Sequence, residues 1–446
     1  MEERVEEGAP VIDEAAAASA ADVSSEAEVV SVEGSAAAED SASAEELVVA
    51  EEELASGEKT PLAVSLYVPF CREKCGYCDA LVCAGANSKT MQAYANALGK
   101  EIASLAPDLS DYEVCSIYIT GGSPNLLGGR LLRDLVACVR SNFNVSEDCE
   151  TTIACSPINV SVSMLENLSK SQLSRFELEL ETTDALQHLS LNQKFLLGST
   201  QDSALVITQS RCKNFDVSLL YGMQGQSNPS VESSIDTSAR MGASHITFAP
   251  LRLSEGTTVK EAYEKQQVAV PTSPRNIYPD EEKRFQLYTT GVRKLEERGY
   301  VRYTQRHFAK PGFECQRILD QCRGIESIGF GLGASSRYGG VACQNTSDLD
   351  TYIAHSSDFT KIMVSASAID ERGAARRQLA EGLLLLEGTS RGDIEAMAGA
   401  SLEEIAPELA GFKESGWLEE DGQSGAVRLT FEGGHHYEEV RDALTA

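Results

Sequence analysis

Two kinds of hydrophobic pattern alternate along the chain from residue 61 onward. Short apolar runs predict buried β-strands, and apolar residues that recur every three or four positions predict amphipathic helices. Six strands are predicted in this way: Val64–Val68, Ser116–Ile119, Thr151–Ala154, Phe176–Glu181, Val217–Tyr221 and His245–Pro250. Helices are predicted between them, at Lys89–Leu105, Leu131–Val139, Ser161–Ser171 and Ser230–Met241. Because the intervals between strands are long enough for a helix, neighbouring strands should run parallel.

Six strand–helix units predict an α/β fold, a partial and open (β/α)6 barrel rather than the full eight-stranded one. In barrels of this kind the reactive loops follow the carboxyl ends of the strands. A cysteine-rich loop follows the first strand and the turn Gly121-Gly122 follows the second, so both should lie at one end of the barrel. The strand Phe176–Glu181 is unusual, because every second residue from Glu177 onward is a glutamate.

Beyond about residue 275 the pattern is less regular. Glu281–Arg298 predicts one long helix. The glycine-rich run Gly329–Ala334 predicts a turn used for close packing, because it lacks the strand and helix of a dinucleotide-binding fingerprint. Residues 376–446 predict a small α+β unit that resembles a winged helix. Its predicted elements are helices at Arg376–Leu386, Leu402–Ser415 and Tyr437–Leu444, a strand at Val427–Phe431, and a hairpin that joins Gly416-Trp417-Leu418 to Arg428-Leu429-Thr430.

These changes of pattern divide the chain into the segments 1–60, 61–290, 291–375 and 376–446. The first segment has 18 acidic and only two basic residues, Arg4 and Lys59, and no aromatic residue. This composition buries too little apolar surface to offset the ordering entropy, so we expect a disordered acidic tail; the alternative is a helical, partner-binding arm. The whole chain has a net charge of −30 and no Lys/Arg cluster, which argues against nucleic-acid binding.

The chain is expected to be cytoplasmic. Its amino terminus is acidic where a cleavable signal would be basic, and no apolar run reaches the length of a membrane span. Twelve cysteines in such a chain indicate metal or redox chemistry rather than a disulfide framework. Six isolated cysteines are expected to act as small buried hydrophobes: Cys115, Cys138, Cys149, Cys155, Cys212 and Cys343.

Three other cysteines, Cys71, Cys75 and Cys78, lie in one short loop after the first predicted strand. Cysteine thiolates hold iron–sulfur clusters, and a four-iron cluster usually takes four of them. Three thiolates leave one iron open to another ligand. The alternative is a zinc site, which needs four nitrogen or sulfur ligands and could be closed by Cys83. The strand–loop context favours the cluster.

The C-x3-C-x2-C spacing of this loop resembles the radical S-adenosylmethionine superfamily. Together with Ile117–Pro124, Leu219–Met223 and Phe308–Phe313, it identifies the chain as a member of the HemN/HemW family from about Val64 to the carboxyl terminus. Residues 61–290 would then be the radical S-adenosylmethionine barrel, 291–375 a family-specific extension, and 376–446 the carboxyl-terminal HemN-like domain.

Within the family, the run Tyr77-Cys78-Asp79 looks like the heme-chaperone branch. The dehydrogenase branch usually carries a further cysteine where this chain has Ala80. The resemblance therefore implies a heme chaperone that acts in heme trafficking. The alternatives are an oxygen-independent coproporphyrinogen III dehydrogenase and a non-catalytic, cluster-containing protein that binds a partner. No catalytic residue is assigned.

The resemblance also implies cofactors and partners. The implied ligands of a 4Fe-4S cluster are Cys71, Cys75 and Cys78, and the implied contacts of S-adenosylmethionine are Tyr77, Gly121, Gly122 and Ser123. The implied partners are heme or a porphyrin, a heme-acceptor protein and a weakly contacted membrane protein.

The chain departs from the family at positions that would anchor S-adenosylmethionine. By alignment from Cys71, six family residues (Tyr, His, Glu, Gln, Arg and Asp) are replaced in this chain by Ser65, Tyr67, Ala154, Glu181, Gln193 and Ser218, respectively. Each lost charged or bidentate hydrogen bond costs on the order of 1–3 kcal/mol, so binding of the cofactor should be weak.

The heme motif differs as well, because its His-Asn and Tyr-Trp pairs align with Arg317-Ile318 and Gln321-Cys322. Cys315 and Cys322 could supply soft heme ligands instead, although two buried, idle thiols are the favoured interpretation. His307 is expected to be a hydrogen-bonded core or surface residue. The pair His435-His436 is expected to be exposed to solvent.

Overall fold

The computed structural model describes residues 59–445 except 194–196, 211, 213 and 269–272. The predicted acidic tail therefore lies almost wholly outside the described residues. The strands are β1 (Thr60–Val68), β2 (Phe70–Cys71), β3 (Cys83–Ala84), β4 (Tyr112–Gly121), β5 (Val145–Cys155), β6 (Arg175–Glu181), β7 (Phe215–Tyr221), β8 (His245–Pro250), β9 (Val301–Arg302), β10 (His307–Ala309), β11 (Glu326–Gly331), β12 (Ser335–Tyr338), β13 (Val341–Asn345), β14 (Met363–Ala368), β15 (Thr389–Ser390), β16 (Leu418–Glu420) and β17 (Ala426–Leu429).

The α-helices mostly lie between these strands and after them. They are α1 (Ser88–Leu105), α2 (Gly128–Asn142), α3 (Val162–Leu168), α4 (Ala185–Ser190), α5 (Leu197–Thr208), α6 (Asn228–Arg240), α7 (Thr258–Val268), α8 (Glu281–Glu297), α9 (Gln316–Cys322), α10 (Leu349–His355), α11 (Phe359–Ile362), α12 (Glu371–Gly382), α13 (Arg391–Ala398), α14 (Leu402–Ile405), α15 (Leu409–Glu414), α16 (Phe431–His435) and α17 (Tyr437–Thr445). No helix in the described part of the chain is long and apolar enough to span a membrane.

The main sheet has twelve strands in the order β14-β13-β12-β11-β1-β4-β5-β6-β7-β8-β10-β9. Strands β1, β4, β5, β6, β7 and β8 lie side by side in the sheet, in the order in which they occur along the chain, and each pairs in parallel with the next. They contain the six predicted strands, so the prediction of a partial (β/α)6 barrel is confirmed. Parallel neighbours need a crossover connection, which is usually a helix, and α1, α2 and α6 are three of the helices that lie between these strands.

The alternation of residues along β1 decides what each face of the sheet contacts. Leu62, Val64, Leu66 and Val68 are buried and join the core that also contains residues of α1. Successive side chains of a strand point to opposite faces, so the residues between them, such as Ser65, face the barrel interior. The interior is therefore polar, and the helices cover an apolar outer face.

The glycine-rich run near residue 330 is a strand as well as a turn, which corrects the prediction of a turn alone. Strand β11 pairs in parallel with β1 on the side opposite to β4. A Cβ atom at Gly331, where φ is +114°, would lie 2.6 Å from both the Tyr67 carbonyl oxygen and the Tyr94 hydroxyl. The predicted close packing is therefore present, and β12, β13 and β14 extend the sheet beyond it in antiparallel order.

A buried carboxyl group supports this part of the sheet. Glu101 of α1 is fully buried and accepts hydrogen bonds from the Gly331 amide (2.9 Å), the Asn345 amide (2.6 Å) and the Tyr352 hydroxyl (2.5 Å). Burial raises the pKa of Glu101 to about 7, while the three hydrogen bonds act in the opposite direction. The end of β11 is thus fixed by a group whose charge depends on pH.

The carboxyl-terminal residues form a second hydrophobic core. Its strands pair in the order β15-β17-β16, with Leu418 opposite Leu429, which confirms the predicted hairpin. The predicted helix Leu402–Ser415 is instead two helices, α14 and α15, because Pro407 between them cannot donate a helical hydrogen bond. The predicted strand ends early, at Leu429, because the Thr430 side chain caps α16.

Candidate functional site

A cavity of about 380 Å³ opens at the carboxyl ends of the parallel strands, and we term it the cysteine cavity. The loop between β2 and β3 supplies part of its wall, and the turn after β4 supplies another part. All seven residues that the resemblance placed at the cofactors line it: Cys71, Cys75, Tyr77, Cys78, Gly121, Gly122 and Ser123. The structure thus brings together two motifs that are about 45 residues apart, as expected from the position of strand ends in a parallel barrel.

Two glycines allow the turn after β4 to contact the cysteine loop. Gly121 has a φ of +120°, and a Cβ atom there would lie 2.6 Å from the Val68 carbonyl oxygen. A Cβ atom at Gly122 would lie 2.5 Å from the Phe70 carbonyl oxygen and 2.7 Å from Cys71 Sγ. The Gly122 amide also donates to the Val68 carbonyl (2.8 Å). Only glycine provides this space, so the turn sets the position of the first thiol.

Segments from much later in the chain hold the cysteine loop on its other side. The Gly76 amide donates to the Leu191 carbonyl (2.7 Å), and the Gly76 carbonyl accepts from the Val259 amide (3.1 Å). The Ser254 hydroxyl donates to Asp79 Oδ2 (2.6 Å). Hydrogen bonds within the protein therefore fix the cysteine loop at both ends and in the middle, without a metal ion.

A chain of hydrogen bonds joins the loop to β6. The Tyr77 hydroxyl donates to Glu181 Oε1 (2.6 Å), and the Gln193 amide donates to Glu181 Oε2 (2.7 Å). Gln193 Oε1 in turn lies 2.8 Å from His188 Nδ1. Burial raises the pKa of Glu181, and the hydrogen bonds from Tyr77 and Gln193 oppose that rise. Glu181 and Gln193 stand at two of the substituted family positions, and their side chains are thus hydrogen-bonded to each other beside the cysteine cavity.

Glu181 has an unusual backbone conformation, with a φ of +61° directly after a shift in the β6–β7 register. A non-glycine residue in this region is strained by on the order of 1–3 kcal/mol and persists where the surroundings fix it. The two hydrogen bonds to its carboxylate provide that fixation.

Glu179 lines the cysteine cavity and was not among the predicted cofactor contacts. Burial first, and then the charges of Glu181 and Glu177, raise the pKa of Glu179 well above its ordinary value. The alternating glutamates of β6 were the signal in the sequence, because residues two apart on a strand share a face.

The three thiols of the cysteine loop all have a raised pKa. Burial, followed by the charges of Glu181 and Glu179, raises the pKa of Cys75 to about 12. Burial also raises the pKa of Cys71 and Cys78. The free thiols are therefore protonated at neutral pH, and positive charge from a metal has to drive their ionisation.

The three thiol sulfurs are not arranged around one common point for a single zinc ion. A zinc ion with bonds of about 2.3 Å would hold tetrahedral sulfurs about 3.8 Å apart. In the described part of the chain, the three thiol sulfurs do not all lie within 4.8 Å of one another. Cys83 pairs with Phe70 across β2 and β3 and does not line the cavity, so it does not provide the fourth ligand.

Other positions aligned with cofactor anchors do not reach the cysteine cavity. Ala154 is buried in β5 and offers no polar group. The Ser218 hydroxyl donates to the Leu178 carbonyl (3.4 Å), and the Tyr67 hydroxyl donates to the Leu81 carbonyl (2.8 Å). Ser65 lines a different cavity. None of these four residues lines the cysteine cavity.

That second cavity, of about 500 Å³, contains three arginines, and we term it the arginine cavity. Its lining includes Ser65, Tyr118, Arg317, Gln321, Arg337 and Arg377, together with Glu326, Glu371 and Glu381. The Arg317 guanidinium lies over the Tyr118 ring at 4.0 Å. The Tyr118 hydroxyl donates to Glu177 Oε2 (2.8 Å). Arg317 and Gln321, which align with the heme motif, thus face a cavity large enough for an organic ligand.

Cys315 and Cys322 are buried in the carboxyl-terminal core and do not line either cavity, as the favoured interpretation predicted. His307 is a buried residue whose Nδ1 lies 2.7 Å from the Thr304 hydroxyl, as expected. The pair His435-His436 was predicted to be exposed, but His435 is buried and the His436 side chain is only 12% exposed, so that prediction was wrong. The His435 ring packs against Tyr221 and joins the terminal helices to the barrel.

The isolated cysteines are divided in their burial. Cys149, Cys155 and Cys343 are buried as predicted, whereas Cys115, Cys138 and Cys212 are only partly buried.

Comparison with known proteins gives one consistent group of relatives. No family model matches the chain. The heme chaperone HemW of Buchnera aphidicola is 24% identical over 279 residues, which cover 62% of this chain and 70% of the relative. HemW of Mycobacterium tuberculosis is 25% identical over 294 residues, covering 66% and 73%. HemW of Bacillus subtilis is 24% identical over 374 residues, covering 82% and 95%.

Among solved structures, the coproporphyrinogen III oxidase HemN of Escherichia coli, described as a radical SAM enzyme, superimposes with a TM-score of 0.71. The superposition covers 89% of this chain and 93% of HemN at 18% sequence identity. At that identity the likeness establishes a shared fold.

Proposed function

We propose that this chain, a HemW-like member of the HemN/HemW family of radical S-adenosylmethionine proteins, carries a 4Fe-4S cluster and binds heme as a chaperone. The observation that carries the proposal is the cysteine cavity, where Cys71, Cys75 and Cys78 meet the glycine turn after β4. The relatives are heme chaperones, and heme is therefore the ligand that the proposal assigns to the arginine cavity.

In the cysteine cavity, Cys71, Cys75 and Cys78 would hold three irons of the cluster and leave one iron open. When bound, the cluster supplies the electron that cleaves S-adenosylmethionine, and this chemistry belongs to the cofactors. The protein's part is to position the thiols through Gly122 and to fix the loop through Tyr77 and Glu181.

The proposal assigns S-adenosylmethionine a weak and auxiliary role. Tyr77, Gly121, Gly122 and Ser123 remain available to contact it. Ala154 and Ser218, at positions where the family has a glutamate and an aspartate, supply no charge. Each missing charged partner costs on the order of 1.5–3 kcal/mol of binding free energy, so turnover should be slow or absent.

Heme would occupy the arginine cavity. Its propionates are carboxylates, which arginine side chains bind through paired, charge-assisted hydrogen bonds. Arg317, Arg337 and Arg377 all line the cavity, and the Tyr118 ring provides an aromatic wall. Three acidic residues also line it, so the arginines have to be shared between protein and ligand carboxylates.

The direct test is to reconstitute the cluster anaerobically and titrate the protein with heme while following the Soret band. We expect a shifted band that saturates near one heme per chain. The variant Arg317→Ala should bind heme about tenfold more weakly, because one charge-assisted pair is lost. The control Arg323→Ala removes a nearby exposed arginine that does not line the cavity and should bind heme normally. No shift at stoichiometric heme contradicts the proposal.

The same preparation separates the alternatives. Formation of 5′-deoxyadenosine together with protoporphyrinogen from added coproporphyrinogen would instead establish the dehydrogenase. A protein that holds the cluster but binds neither S-adenosylmethionine nor heme would be a partner-binding protein.

A further inference from the structure

A third group of chemically active side chains lies away from both cavities, where the terminal helices meet the barrel. Glu281 begins α8, and His435 and His436 join α16 to α17. One ligand atom from each residue lies within 4.8 Å of the other two. Neither the cluster nor heme involves these residues, so their convergence needs a separate explanation.

The distances between these atoms are close to those around a small metal ion. His435 Nε2 lies 2.6 Å and His436 Nε2 lies 3.9 Å from the same oxygen, Glu281 Oε1. Tetrahedral metal–ligand bonds of 2.0–2.1 Å place neighbouring ligand atoms about 3.3 Å apart. The first distance has to lengthen and the second to shorten, each by about 0.6–0.7 Å. Side-chain rotation alone supplies movements of this size.

The other nitrogen of each imidazole already has a partner. His435 Nδ1 lies 3.0 Å from the Tyr221 hydroxyl, and His436 Nδ1 is hydrogen-bonded to the Glu439 carboxylate. Histidines that bind metals almost always hydrogen-bond their second nitrogen to a carboxylate, a carbonyl or a water molecule. Both imidazoles are thus held with Nε2 directed to the Glu281 carboxylate.

His436 and Glu281 face each other without a direct hydrogen bond. His436 Nε2 lies 3.9 Å from Glu281 Oε1, while its Nδ1 is hydrogen-bonded to the Glu439 carboxylate. A divalent cation between Nε2 and Oε1 would bind both atoms.

We propose that Glu281, His435 and His436 bind one first-row divalent transition metal ion. Two imidazoles and one carboxylate are the ligand set that suits zinc and ferrous iron. His435 is buried, whereas Glu281 is 56% exposed, so the ion can enter from the Glu281 side and keep a water molecule in its fourth position. Arg284 Nε lies 3.7 Å from the other oxygen of Glu281 and leaves Oε1 for the ion.

The ion would connect separate parts of the fold. Glu281 belongs to α8 of the barrel region, Tyr221 ends β7, and His435-His436 follow the terminal hairpin. The His436 ring also stacks on Trp417 at 3.8 Å. The metal would therefore couple the position of the terminal helices to the barrel.

The test is anaerobic titration of the full chain with Co²⁺, followed by visible absorption and calorimetry. Cobalt bound to thiolates gives intense near-ultraviolet charge-transfer bands, whereas a site of two imidazoles and a carboxylate gives only weak visible bands. We expect the wild type to bind one more equivalent of the second kind than His436→Ala and Glu281→Gln. Glu439→Gln should keep this equivalent with 10- to 100-fold lower affinity, because it orients His436.

His355→Ala is the matched control, since His355 is an exposed histidine at the end of α10. It should bind as the wild type does. If His436→Ala loses its far-ultraviolet circular dichroism, Glu281→Gln carries the test, because its side chain is largely exposed. Retention of the equivalent by either folded variant overturns the three-ligand site.

Discussion

The cysteine cavity and the arginine cavity each take part of their lining from β4 and differ in how they are built. The cysteine cavity is defined by backbone: Gly121 and Gly122 admit the loop, and main-chain hydrogen bonds hold Gly76. The arginine cavity is defined by side chains, and its Arg317 stands where the family motif has histidine. A site fixed by backbone tolerates little change, whereas a site lined by side chains can change its ligand by substitution.

Strand β6 links the two cavities. Glu177 accepts the hydrogen bond from Tyr118 of the arginine cavity, and Glu179 lines the cysteine cavity. Residues two apart on a strand are about 7 Å apart along it. The two cavities are therefore near neighbours along β6, and the comparison between them can be tested by changing one cavity and measuring ligand binding in the other.

The largest effect is expected from Cys75→Ala. Loss of one of three thiolate ligands should abolish the cluster, as measured by iron and acid-labile sulfide after anaerobic reconstitution. Heme binding should persist, because the arginine cavity has its own lining. The control Cys83→Ala should keep the full iron content. Loss of heme binding along with the cluster would show that the cavities form a single site.

The next effect concerns how stability depends on pH through Glu101, the buried carboxyl group that holds the end of β11. The folded state holds the Glu101 proton up to a pKa of about 7, whereas the unfolded chain releases it near its ordinary value. The protonated Glu101 carboxyl therefore contributes its full stabilisation of the folded state at low pH, and this contribution is lost as the pH rises toward and through 7. Between pH 4.5 and 8, the free energy of unfolding of the wild type should fall by about 3 kcal/mol relative to that of Glu101→Gln.

Urea unfolding of both proteins across this pH range measures the difference. Glu113→Gln, a change at an exposed position of β4, is the control and should show no such trend relative to the wild type. A constant difference between wild type and Glu101→Gln would mean that Glu101 does not titrate in this interval.

A smaller effect is expected from Gly122→Ala, which tests whether backbone defines the cysteine cavity. The added Cβ would meet Phe70 O and Cys71 Sγ, and overpacking of this kind costs about 1–3 kcal/mol of unfolding free energy. Cluster content should fall with it. Gly411→Ala, in a helix where a Cβ meets nothing within 4 Å, is the control. Normal stability and cluster content in Gly122→Ala would contradict the role assigned to the turn.

The smallest effect is expected from Cys322→Ala. Its thiol is buried in the carboxyl-terminal core, so removal of the sulfur should cost about 1 kcal/mol of stability. Heme affinity should not change, because Cys322 does not line the arginine cavity. A weakened or shifted Soret band in the variant would instead identify the Cys322 thiol as a heme ligand.

The sequence predicted the barrel because its strands are short, apolar and separated by helix-length intervals. His245–Pro250 was predicted with the correct ends, and the other five strands were predicted shorter than they are. Polar residues near the start of a strand, such as Ser146 to Asp148 of β5, carry no apolar signal. The cysteine cavity was also predictable, since strand ends converge in a parallel barrel.

Contacts set by tertiary packing were not predictable. The run Glu326–Gly331 contains two glycines and reads as a turn, but pairing with β1 makes it a strand. His435 looked exposed because its neighbours in sequence are polar or small. Its burial comes from Tyr221 and Tyr288, which lie far away in the chain. The pairing of Glu181 with Gln193 likewise depends on where the loop after α4 folds.

The anchors of the cysteine loop also determine the order of assembly. Tyr77 and Glu181 are 104 residues apart in the chain, and Asp79 and Ser254 are 175 residues apart. Contacts of such long range form late, because the entropy of closing the intervening chain has to be overcome first. A nascent polypeptide that has just exposed its cysteines lacks every one of these contacts. For the cluster proposed above, delivery of iron and sulfide into the positioned loop would follow synthesis and folding of the barrel through α7.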